Sequence, residues 1–153
     1  MKITKIILII LFFFQQGCGY KSINNLDNYT FHIINYDLTG DTKINNILER
    51  NLKRFQNNQK ELKKFSLKIN SESLTSIVSK DSEGNAISFK VKINVKVSIF
   101  ENNIFLNEII FFKDTNYDNL NSKFELNQYE RILKEDLVNQ INSELNNYLA
   151  FLK

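Results

Sequence analysis

Residues 87 to 99 alternate without a break. Ile87, Phe89, Val91, Ile93, Val95, Val97 and Ile99 occupy one parity; Ser88, Lys90, Lys92, Asn94, Lys96 and Ser98 occupy the other. Successive side chains of a strand point to opposite faces, so this pattern gives a strand with one apolar and one polar face. A helix would scatter the same residues around its circumference. Such a strand is expected in an antiparallel sheet with one face on the core and the other toward water. An all-helical fold is thereby excluded, and a second layer must cover the apolar face.

The neighbouring segments supply that layer and the rest of the sheet. Residues 29–36 alternate around Phe31, Ile33 and Tyr36 and predict a first strand. Thr39-Gly40-Asp41 reads as a turn, with Asp41 as helix N-cap. Ile44, Ile47, Leu48, Leu52 and Phe55 then recur at helical spacing over about 42–57. A second strand begins at Phe65, Leu67 and Ile69, and the parity change near Ser71-Glu72-Ser73 predicts a bulge there. Asp81 to Asn85 is a turn, and Asn102-Asn103 a tight hairpin. A fourth strand follows from Ile104 to about Thr115. Its Ile109–Phe112 run is apolar on both parities, which predicts cover on both faces. Tyr117–Phe124 reads as a polar loop. A long helix closes the chain from about Asn127 to Phe151, with Tyr129, Leu133, Leu137, Ile141, Leu145, Tyr148, Leu149 and Leu152 as its stripe, widened by Ile132 and Val138. The expected fold is α+β: a two-layer sandwich, a four-stranded mixed sheet with two helices on one face, in the order β-α-β-β-β-α.

The N-terminus has a different character. Lys2 and Lys5 precede an unbroken apolar run from Ile6 to Phe14, and Gln15-Gln16-Gly17 lead into Cys18. The run is far shorter than the roughly 20 residues of a spanning helix. A positive start, a short apolar core and a small residue before a cut are the marks of a secretory signal. Cys18 is the only cysteine of the chain. The segment resembles a lipoprotein signal, in which a small residue is followed by the cysteine that receives lipid. Gln15 stands where such signals usually carry an apolar residue. The competing reading is an ordinary signal peptide with an unrelated cysteine nearby. On the lipoprotein reading residues 1–17 are removed, Cys18 carries fatty-acyl chains such as palmitate, residues 18–28 are a polar tether, and residues 29–153 form one domain. Two or more acyl chains anchor stably, at about 0.8 kcal/mol per buried methylene. By the same resemblance, Gly19 rather than Asp after the cysteine favours export to the outer membrane.

Removing residues 1–17 leaves 136 of the 153 residues, enough for one core. The formal charge falls from +3 to +1 as Lys2 and Lys5 leave. A general polyanion binder is therefore not expected, and with no aromatics interleaved among the lysines, nucleic acid is not an expected partner. No disulfide can form within the chain. No catalytic constellation emerges. His32, the single histidine, falls inside a predicted strand; no metal-ligand spacing appears; Gly84 is isolated and makes no phosphate loop. Neither a metal, nor a cofactor, nor an enzyme is expected. Two basic groupings remain: Lys53, Arg54, Lys60, Lys63, Lys64 and Lys68 around the end of the first helix, and Lys90, Lys92 and Lys96 along the third strand. An ordinary solvated surface is one reading, and contact with an anionic head group or an acidic partner the other.

Several of these residues together carry a family resemblance. Cys18-Gly19-Tyr20, the Gly84-Asn85-Ala86 turn before the alternating strand, and Tyr117, Phe124 and Tyr129-Glu130-Arg131 opening a helix that ends near Tyr148 resemble, in that order, LptE, the lipopolysaccharide-assembly lipoprotein, in its shorter alphaproteobacterial forms. The resemblance spans the mature chain. It implies an outer-membrane lipoprotein on the periplasmic side that plugs the large barrel LptD, supports its assembly, and helps lipopolysaccharide reach the outer leaflet. On that reading Lys80, Lys90 and Lys92, along the hairpin of strands two and three, are the candidate contacts to lipopolysaccharide or to the barrel. The alternative from another class is a lipid-binding accessory lipoprotein of an ABC-type transport system. A carrier needs an apolar pocket of several hundred cubic ångströms, whereas a plug needs a filled core and an extensive partner surface.

Overall fold

Asp41 shows how local chemistry starts the fold. In the computed structural model, which describes residues 31–56 and 63–152, its carboxylate oxygen Oδ1 accepts from the backbone N–H of Lys43 at 2.8 Å and of Ile44 at 3.1 Å. These are two of the unpaired donors at a helix start. Strand β1 (Phe31–Gly40) enters this cap, and helix α1 (Thr42–Leu52) leaves it, tightening into a 3-10 turn at Lys53–Phe55. Gly40 makes the corner possible. Its φ is +96°, and a Cβ there would lie 2.0 Å from the carbonyl oxygen of Ser71. The N–H of Asp41 takes that same carbonyl at 2.9 Å.

Strand β2 (Lys63–Lys80) returns parallel to β1, a pairing for which the helical crossover supplies the needed connection. Strands β3 (Ala86–Glu101) and β4 (Ile104–Asp118) then pair antiparallel in sequence order, giving a sheet β1-β2-β3-β4. Helix α2 (Lys123–Phe151) closes the chain. The architecture is the expected α+β sandwich, with a four-stranded mixed sheet in the order β-α-β-β-β-α. Asn102 and Asn103, with φ of 50° and 66°, form the tight β3–β4 turn; both need the left-handed region that asparagine tolerates.

The core lies between one sheet face and the helices. Val91, Ile93, Val95, Val97 and Ile99 are fully buried, as their alternation predicts. They meet Phe31, Ile33, Phe65, Leu67 and Ile69 of the neighbouring strands, Ile44, Leu48 and Leu52 of α1, and Leu137, Val138, Ile141, Leu145 and Leu149 of α2. Each such side chain contributes about 1.5–3 kcal/mol of gross burial free energy.

Several expectations change. The predicted bulge at Ser71–Ser73 is absent: the β2–β3 register runs unbroken from Phe65/Glu101 to Ile77/Phe89 and shifts only beyond Ile77. Ser71 stays inward because its hydroxyl donates to Asn45 Oδ1 at 2.7 Å, so a buried polar group is satisfied without a kink. Leu74 consequently points outward, 62% exposed. The double cover predicted for Ile109–Phe112 also fails. Phe111 is buried, but Ile110 and Phe112 stand exposed on the outer face, because both helices pack on the inner one. The predicted loop Tyr117–Phe124 is shorter. Strand β4 continues to Asp118, and α2 begins at Lys123, capped by the Ser122 hydroxyl accepting from Glu125 N–H at 3.3 Å. Tyr117 is thus a core residue stacked on Phe89. Tyr129 and Ile132, expected in the helix stripe, are exposed, as is Ile87 where the sheet outruns its cover. Cys18, the cut before it and the tether lie outside the described residues.

Candidate functional site

The outer sheet face carries a repeating chemistry. Even-numbered residues of β3 project there, between those of β2 and β4. Lys90 pairs with Asp114 at 3.2 Å, and Lys96 with Glu108 at 2.7 Å. Lys92 lies over the Phe112 ring at 4.7 Å, and Lys68 over Phe100 at 5.5 Å. Glu108 also accepts from the Ser98 hydroxyl at 2.9 Å. Hydrogen bonds from Lys96 first, then Ser98, hold its carboxyl below the ordinary value. Exposed Leu74, Ile110 and Phe112 fill the spaces between the charges. The face is thus a mosaic of paired charge and apolar surface.

The three candidate lysines are only partly brought together. Lys90 and Lys92 share the outer face, as their parity requires, but neither is a bare cation, since one meets Asp114 and the other Phe112. Lys80 lies at the hairpin end, opposite Ala86 and past the register shift. Its neighbour Asp81 ties the turn: Oδ1 accepts from Glu83 N–H at 2.9 Å and Asn85 N–H at 2.8 Å, and Oδ2 from the Asn85 side chain at 3.0 Å. These bonds, the Asn85 side chain foremost, keep the Asp81 carboxyl below its ordinary value, so the tip carries negative charge beside Lys80. Sequence reading missed the acidic partners Asp114 and Glu108. The Asn102-Asn103 turn alone would set Glu108 opposite Val97 and Asp114 opposite Val91; the register shift between Ile99 and Phe100 brings both to the lysine face, and no turn signal in the sequence announces it.

A second feature lies between the helices. A groove of ≈ 480 Å³ runs along Lys43, Ile44 and Ile47 of α1 and Phe124, Asn127, Gln128, Glu130, Arg131 and Lys134 of α2. Its floor is pinned by Glu130, which accepts from the Thr75 hydroxyl at 2.8 Å and the Tyr117 hydroxyl at 2.9 Å and pairs with Lys134 at 2.7 Å. Burial alone would raise the Glu130 carboxyl; the bonds from Lys134, Thr75 and Tyr117 outweigh it and hold it low. Burial, with Glu130 alongside, pushes the Tyr117 hydroxyl well up. The network fastens α2 to β2 and β4. Among the described residues no group of three or more histidine, cysteine, aspartate or glutamate side chains could hold a metal. His32 sits half-buried in β1, as expected.

No protein-family model matches the sequence, and no curated protein sequence does. Solved structures do match in fold. Rare lipoprotein B from Shewanella oneidensis superposes with a TM-score of 0.57 at 10% identity, over 76% of this chain and 93% of that one. A minor lipoprotein from Acinetobacter baumannii gives 0.54 at 14% identity, over 78% and 92%. An uncharacterized lipoprotein B from Nitrosomonas europaea gives 0.54 at 18% identity, over 87% and 94%. The chain shares its fold with these three proteins.

Proposed function

We propose that this chain is an LptE-like outer-membrane lipoprotein. Cys18 holds it to the inner leaflet from the periplasmic side, and its α+β body plugs and helps assemble an LptD-like barrel through which lipopolysaccharide reaches the outer leaflet. The observation that carries the reading is the shared fold of three proteins named as lipoproteins, on a chain whose only cysteine follows a secretory-type apolar run. The outer sheet face supports it too. A water-filled barrel lumen is lined by polar side chains, and a mosaic of paired charges with exposed Ile110 and Phe112 suits such a wall. The carrier alternative is less well supported. The inter-helix groove has the volume for a ligand, but the charged Lys43, Glu130, Arg131 and Lys134 share its wall with Ile44, Ile47 and Phe124. Solubilising the outer membrane in mild detergent and purifying the chain tests the choice. A large β-barrel protein recovered in stoichiometric amount is expected. Recovery with subunits of an ABC transporter, and without a barrel, would favour the carrier.

A further inference from the structure

One end of the domain gathers the features of a membrane-resting surface. A row across the sheet defines that end: Phe31 lies opposite Lys63 in the β1–β2 pair, Phe65 opposite Glu101 in β2–β3, and Glu101 opposite Ile104 in β3–β4. The last turn of α2 reaches the same place, where Lys63 Nζ donates to the Leu152 carbonyl at 2.9 Å and Asn107 bonds to the Tyr148 hydroxyl. Here three consecutive apolar residues stand in the open: Ile104 is 68% exposed, Phe105 56% and Leu106 38%; Phe151, at the end of α2, is 82% exposed. Phe105 is held upright by edge contact with Phe100 at 5.7 Å. Exposed Lys53, Arg54, Lys63 and Lys64 belong to the same end. Against them stand Glu49, which pairs with Lys53 at 2.9 Å, and half-buried Glu101.

We infer that, before it enters a barrel, the free lipoprotein rests this end on an anionic phospholipid surface, with Ile104, Phe105, Leu106 and Phe151 at the head-group boundary and Arg54 and Lys64 against lipid phosphates. The inference depends on the acylation of Cys18 proposed above. Chain length selects the occupant. Twelve residues, 19–30, separate Cys18 from Phe31. A random chain of twelve residues averages about 20 Å from end to end. Helix α2, with 29 residues, is about 43 Å long; its end meets Lys63 through the Leu152 carbonyl, and the Asn119 N–H just before its start meets the Ile87 carbonyl. Acyl chains attached beyond Phe31 therefore hold the Phe31 end near the bilayer and leave the Lys80–Asn85 tip remote. Exposed apolar side chains with neighbouring cations are what an anionic bilayer surface binds.

Tryptophan is absent from the chain, so a single one reports its own surroundings. The acylated mature protein carrying Phe105→Trp is reconstituted into phosphatidylglycerol–phosphatidylethanolamine vesicles with brominated acyl chains. Ile104→Trp serves as a second reporter and Ile87→Trp as the remote control. Emission from the two hairpin reporters is expected to fall roughly twofold or more, since side chains seated about 5–10 Å into the interface lie beside the acyl carbons. The Ile87→Trp emission is expected to be unchanged. Adding Arg54→Gln and Lys64→Gln should weaken the quenching and its dependence on phosphatidylglycerol. Intact mass of the same preparation separates two failures. An unmodified Cys18 overturns the lipoprotein reading and this inference with it. An acylated chain whose hairpin reporters are quenched no more than the Ile87→Trp control overturns this inference alone.

Discussion

The two faces of β3 share one backbone and one set of ladder hydrogen bonds, yet they do different work. On the inner face Val91, Ile93, Val95, Val97 and Ile99 are sealed beneath two helices. On the outer face Lys90, Lys92 and Lys96 stay in reach of water, each with a partner from β4. Burial free energy scales with apolar area removed from water, whereas an exposed ion pair gains little. Stability therefore belongs to one face, and the other can change for recognition at small cost.

The sharpest way to break this division is Ile93→Ala. The site is fully buried, so a loss of roughly 2–5 kcal/mol is expected in chemical denaturation. A loss no larger than that of an outer-face change would show that the inner face is not the core. Next comes Glu130→Gln, which tests the polar fastening on the covered side. Its side chain is only 22% exposed and serves Thr75, Tyr117 and Lys134, so about 1–3 kcal/mol should be lost. The sign with pH is fixed by the lowered carboxyl. Its stabilisation is fully present above the ordinary glutamate value, about 4.3, and is lost as pH falls through the depressed folded value. The gap between wild type and Glu130→Gln in pH-dependent melts should thus hold steady down to about pH 4.3 and close below it.

Outer-face changes sharpen the comparison from the other side. Replacing Lys80, Lys90 and Lys92 together by Gln should cost at most about 1 kcal/mol, since the Lys90–Asp114 pair is solvent-exposed. If these lysines meet lipid phosphates, lipopolysaccharide binding should weaken, and the wild type should lose more affinity with added salt than the variant. Equal affinities across a salt series would return all three to an ordinary solvated surface. The smallest effect is expected from Asn94→Ala, one residue from Ile93 on the opposite face, within about 0.5 kcal/mol. A melt that ranks Asn94→Ala below Ile93→Ala in stability would invert the assignment of faces.

Much of this was legible because it is local. The Asp41 cap, the Asn102-Asn103 turn and the alternation of β3 each depend on a few adjacent residues and their preferred dihedrals. Ser71 and Tyr117 were misread for the opposite reason. A serine stays inward only because Asn45 of α1 meets it, and a tyrosine in a polar stretch is a core residue only because Phe89 and Glu130 stand beside it. The candidate lysines divide in the same way: their parity was readable, but their partners came from β4.

By itself the sequence determined the order of elements, the covered parity of β3, the Asp41 cap and the turns, because periodicity and turn chemistry act over a few residues. Only the tertiary structure decided that both helices pack on one face and leave Ile110 and Phe112 bare, that Asp114 and Glu108 temper the lysines, and that Ile104, Phe105 and Phe151 gather at the end where the chain enters at Phe31. Those outcomes depend on cross-strand register and helix placement, which join residues far apart in the chain, and no short-range pattern encodes them.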